Sequence, residues 1–114
     1  MQYKEVSEPV ATFKLAAALE AYEMDMRALA QAWRDPHLFR RLQDQFGELR
    51  KLGASLPALS VSWVAVLVSR TKLLQALCSR SGAVVAALHE HLAAVEGLRK
   101  RCLRTIGAQG WALT

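Results

Sequence analysis

His89-Glu90-His91 is where metal or proton-transfer chemistry would first be sought in this 114-residue chain. Helical metal sites place their ligands on one face, as in His-Glu-x-x-His or a Glu-x-x-His pair on bundle helices. Residues two apart on a helix point about 200° apart, so these imidazoles cannot share an ion. They read as surface or rim histidines, and neither a metal nor another cofactor is expected. Glu20, Glu23 and Asp25 lie with Arg27 on what reads as the outer face of the first helix, where pairing along the helix explains them. The thiols are Cys78 and Cys102. Cys78 falls on a presumed core face, where a thiol stays protonated and inert. If the third and fourth helices form a hairpin turning near Ser81, the two thiols differ in height by about 27 Å, far beyond disulfide reach. Neither glycine-rich phosphate-loop pattern is present. The chain is therefore not expected to be an enzyme, and no small-molecule ligand is inferred.

Phosphate binding is the other chemistry its residue types suggest. Arg99, Lys100, Arg101 and Arg104 place four cations within six residues, and Arg40-Arg41 and Arg50-Lys51 could extend the patch. Cations in the last turns of a helix also simply complement its dipole. A helix-turn-helix between the third and fourth helices fails a direct test, because its reading helix would begin Ala83-Val-Val-Ala-Ala87, with no side chain able to read a base edge. The net charge of +5 is uneven. Residues 1–35 carry four basic and six acidic groups, residues 36–81 seven and two, and residues 82–114 four and two. Such a field speaks to association rather than to fold.

Helices must hold these groups. Leu15, Leu19, Tyr22, Met26, Leu29 and Trp33 recur every three or four residues, the apolar seam of a helix that packs lengthwise on others. Ser7 can cap it, with Glu8 and Pro9 in its first turn. Asp35-Pro36 reads as a new N-cap and first helical residue. The second seam runs Leu38, Phe39, Leu42, Phe46, Leu49 and Leu52, with Gly53 as a stop. Ala54–Ala58 reads as a linker, broken by Pro57. The run Val61–Val68 has strand-like composition, but Val64, Leu67, Thr71, Leu74 and Cys78 keep helical spacing. Its apolar residues surround the axis, which predicts a central, most buried helix. The nearly uninterrupted apolar stretch Leu56–Val68 is too short to cross a bilayer. Ser81 can cap a fourth helix on Val85, Leu88, Leu92, Val95, Cys102 and Ile106, with Arg99 where the seam expects an apolar residue. Gly107 and Gly110 are expected to end it, leaving Trp111 on a tail.

The expectation is an all-α, compact four-helix bundle, up-down antiparallel, forming a single domain over residues 1–114. Its helices fall at about 8–34, 36–52, 59–79 and 82–106, with a tail over 107–114. Of the residues, 53% are hydrophobic, more than four short helices comfortably hide. A self-associating or protein-binding module with an apolar stripe follows, with a homodimer the common solution. Leu38, Phe39 and Trp111 are its expected contacts. The alternative is a nucleic-acid-associated accessory protein using Arg40, Arg41, Arg99, Lys100, Arg101 and Arg104. Arginine outnumbers lysine ten to five, which with abundant alanine and leucine suggests a bacterial source of high genomic GC content. The first residues lack the pattern of a secretory signal, so a cytoplasmic location is expected, with no membrane partner.

Overall fold

The computed structural model describes residues 8–32, 34–79 and 82–113, with 108–113 given as helical backbone only. Among them are four α-helices, α1 (Glu8–Leu29), α2 (Pro36–Ala54), α3 (Ser60–Ser79) and α4 (Val84–Leu113), and one 3-10 turn at Pro57–Leu59. The possible caps at Ser7 and Ser81, and the seam residue Trp33, lie outside the described residues.

Apolar side chains at helical spacing make α1 the best-buried helix. Leu15, Leu19, Tyr22, Met26 and Leu29 all face the core, as their spacing predicts. The helix stops at Leu29 rather than near residue 34, because the chain tightens there into i→i+3 bonds from Ala30, Gln31 and Ala32. At the start of α2, the Asp35 carboxylate accepts from the backbone N–H groups of His37 (2.9 Å) and Leu38 (3.3 Å), and Pro36 follows as the first helical residue. Replacing Asp35 with alanine leaves two amides uncapped. A loss of about 1 kcal/mol of unfolding free energy is expected, read as a lowered urea midpoint at unchanged slope; an unshifted midpoint would deny the cap its role.

Cross-helix pairs fix the topology. Asp25 with Arg41 and Tyr22 with Phe46 run α1 against α2, and Phe46 with Trp63 runs α2 against α3. Ser69 with His91 and Lys72 with Glu90 run α3 against α4, and Glu23 with Arg99 closes α4 onto α1. Each neighbour is antiparallel to the next, which is an up-down-up-down bundle. One core draws on all four helices, including Leu15, Phe46, Val66 and Val95. The helices α1 and α3 stand diagonally across it, as do α2 and α4.

Two expectations about α3 and α4 are corrected. The third helix is peripheral rather than central: Val66, Ser69, Leu73 and Ala76 face inward, while Val64, Thr71 and Cys78 from the expected seam are exposed. Apolar residues all around its axis left the true inward face unmarked, and that face carries a serine. The fourth helix runs through Gly107 and Gly110 to Leu113. Glycine costs an α-helix only about 1 kcal/mol relative to alanine, and no proline follows to enforce a stop. Cys102 is buried as expected, its thiol pushed up to about 11 by burial, whereas Cys78 is exposed on the outer side of α3.

Candidate interaction surface

The polar groups nearest to chemistry are sealed inside the bundle. His91 sits near the start of α4, in its second turn, with no exposed surface, so it is a core residue and not the rim histidine the sequence suggested. Its Nε2 lies 2.7 Å from the Tyr22 hydroxyl and its Nδ1 lies 2.8 Å from Ser69 Oγ. Ser69 Oγ donates to the Val66 carbonyl at 3.0 Å, so Nδ1–H donates to Ser69 and Nε2 accepts from Tyr22. Burial, reinforced by the charge of Arg70, lowers the imidazole pKa to about 4, and burial raises that of the Tyr22 hydroxyl. Arg70 itself lies over the Phe46 ring at 4.2 Å. A Ser-His-Tyr chain invites comparison with a catalytic relay, but a nucleophile needs an approach for its substrate, and Ser69 is buried. The chain satisfies buried polar atoms of three helices and fixes their register.

Glu23 is a second interior polar group. It is buried rather than on an outer face, and accepts from Arg99 Nε, with Arg27 at 3.5 Å on its other side. This explains the arginine standing in the apolar seam of α4. Asp25, also on α1, behaves differently. Asp25 takes Arg41 and Gln45 from α2 at 2.9 Å each, and the hydrogen bond from Arg41 holds its carboxyl below the usual range.

The expected phosphate-binding residues are consequently not one patch. Arg41 and Arg99 are held by Asp25 and Glu23, and Lys100 lies 3.4 Å from Glu96. Arg40 and Arg41 are on α2 and the others on α4, across the core from each other. Only Arg40, Arg101 and Arg104 of the six are exposed with no ion pair among the described residues.

Of the expected apolar contacts, Leu38 needs correction. Leu38 is buried in the core, because the turn that Asp35 caps points it inward. Phe39 is half-buried and lines a narrow slot among α1, α2 and α3 with Met26, Leu42, Leu74 and Leu77, its volume about 20 Å³, room for one water. The side chain of Trp111 lies outside the described residues.

Two apolar faces remain open that sequence reading missed. Along α1, Val10, Phe13, Ala17, Ala21 and Met24 recur at three- and four-residue steps on the side away from the core. Phe13 and Met24 are 64% and 66% exposed. Along α3, Val61, Val64 and Val68, 84%, 54% and 49% exposed, form a second row with Ala65. The signal for the α1 row was present as a second periodic series a few residues out of phase with the core seam. Pro57–Ser79 is the one segment among the described residues long and apolar enough, by length and composition, to cross a membrane.

The fold defines an all-α four-helix bundle with a closed interior and two open apolar faces. Compared with known proteins, the chain matches no family model, no curated protein and no solved structure.

Proposed function

We propose that this protein is a non-enzymatic helical interaction module that pairs with a second copy of itself through the outer face of α1. The observation that carries this reading is the exposed row Val10, Phe13, Ala17, Ala21 and Met24. Phenylalanine and methionine are residue types enriched at protein interfaces, and a continuous apolar row on a monomer is costly to leave in water.

The row also suits a second copy in shape. Its members lie seven and four residues either side of Ala17, so a two-fold axis at Ala17 lays the row antiparallel on itself. Phe13 then enters the hole formed by the partner's Ala17, Glu20, Ala21 and Met24, a large knob against small residues, while Val10 meets the partner's Met24. A parallel pairing would instead set Phe13 against Phe13. The charges beside the row, Lys14 and Glu20, are of both signs, so neither copy repels the other strongly.

One pair of helix faces is small for an interface, and a dissociation constant of roughly micromolar or weaker follows. Sedimentation equilibrium over a range of concentrations tests this. The native chain is expected to move from monomer towards twice 12.6 kDa, Phe13→Glu with Met24→Glu to stay monomeric, and Val61→Glu on α3 to dimerise like the native chain. A native chain monomeric throughout, or a double variant that still dimerises, overturns the proposal. Dispersal of the basic side chains around the bundle gives the nucleic-acid reading less support.

A further inference from the structure

We propose that the opposite side of the bundle, built on the outer face of α3, docks on an anionic lipid surface and lies along it. Acidic residues are absent from two stretches of the chain. Residues 49–89 contain Arg50, Lys51, Arg70, Lys72 and Arg80 and no aspartate or glutamate, and residues 97–114 contain Arg99, Lys100, Arg101 and Arg104 and again no acid. All of α3 and the C-terminal half of α4 are therefore free of carboxylates.

The bundle brings the first turn of α3 and the 3-10 turn before it level with the start of the acid-free half of α4, while the rest of α3 lies along the half that carries Glu90. The ion pair between Lys72 and Glu90 (3.0 Å) sets the register of α3 on α4, and Ser69 with His91 agrees with it. Stepping back along α3 from Lys72, the same side carries Val68, Ala65 and Val61. Stepping forward along α4 from Glu90, the side turned towards α3 carries Gly97 and Arg101, with Arg104 beyond. The exposed valine row thus runs up to Arg101 and Arg104, two exposed arginines without an ion pair among the described residues.

An apolar row beside unpaired cations is the pattern of helices that lie in the headgroup region of anionic bilayers. Three features choose this occupant over others. Two copies of a cationic face repel, so self-association belongs to the mixed-charge face of α1. A nucleic acid would grip Arg101 and Arg104 but leave the valines against phosphate, whereas a bilayer receives both. Finally, the length of the apolar stretch Leu56–Val68 speaks to crossing a bilayer and not to lying along one.

The test is co-sedimentation of the full chain with phosphatidylcholine vesicles, with and without phosphatidylglycerol. Binding is expected to the anionic vesicles and to weaken as salt rises. Arg101→Gln with Arg104→Gln should weaken it about thirtyfold. Val64→Asp, on a residue already exposed, should weaken it comparably without unfolding the chain, as circular dichroism will confirm. His37→Gln, on an exposed side chain of α2 outside both apolar rows, should bind like the native chain. Equal binding to neutral and anionic vesicles, or none to either, overturns the proposal. So does a Val64→Asp variant that binds vesicles undiminished while RNA displaces the native chain, since the contact would then be phosphate alone.

Discussion

Replacing Arg99 with leucine is expected to remove about 3 kcal/mol of unfolding free energy, although leucine is the residue type the apolar seam of α4 would ordinarily carry. The loss comes from what is left behind. Glu23 is only 3% exposed, and Arg99 supplies its closest charged partner, with the arginine held above its usual pKa first of all by the hydrogen bond to that carboxylate. Removing one member of a buried pair strands the other charge in a medium that solvates it poorly. Arg27 at 3.5 Å remains, but its side chain is mostly in water and screened, so it offsets little. The second half of the prediction separates this cause from lost packing. With Glu23→Leu added, no charge is stranded, and the double variant should recover most of the loss, because apolar replacement of a buried pair is often neutral or stabilising. Urea unfolding of the two variants beside the native chain checks both. A single variant as stable as the native chain, or a double variant no better than the single, would sink the account.

The same ion pair shows what sequence can and cannot disclose. The α1 seam and the Asp35 cap were legible because each depends on local spacing: Leu15 to Leu29 repeat every three or four residues, and an aspartate before a proline is a cap wherever a helix begins there. Arg99 and His91 were visible only as anomalies. Their explanation lies 76 residues away in Glu23, and in Tyr22 and Ser69, 69 and 22 residues away. No periodicity encodes such partners. The inward face of α3 failed for a different reason. Val61, Val64 and Val68 are as apolar as the side chains that went inside, so the pattern alone could not say which side meets the core. Reading α3 as central also hid the valine face, and counting one seam per helix hid the row on α1. The helices were legible from local spacing; which face each leaves open depends on how the bundle closes.

Acidification from pH 6.5 to about 4 is expected to cost the native bundle about 3 kcal/mol through His91 alone. In the unfolded chain an imidazole takes up a proton near its ordinary pKa of 6.5; in the fold, burial first and then the positive charge of Arg70 defer that uptake to about 4. Between those values the unfolded state binds the extra proton and the folded state does not. Stability therefore rises with pH across this window, is fully present above 6.5, and is lost as pH falls towards 4. Structure accounts for the reluctance. A protonated ring would turn Nε2 from acceptor into donor towards the Tyr22 hydroxyl, while Nδ1 is already committed to Ser69. The test is the urea midpoint measured from pH 7.5 to 4, alongside an imidazole titration by NMR. His91→Gln should be less stable at neutral pH, since its amide cannot reproduce both hydrogen bonds, and its stability should fall less steeply between pH 6.5 and 4. The contribution of Asp25, whose carboxyl titrates below the usual range, starts to be lost only as the pH nears the ordinary carboxyl value of 3.8, so most of it lies below this interval. Equal slopes in the native chain and the variant would mean the pH dependence has another source, and an imidazole titrating near 6.5 in the folded protein would show that His91 is not sealed in the core.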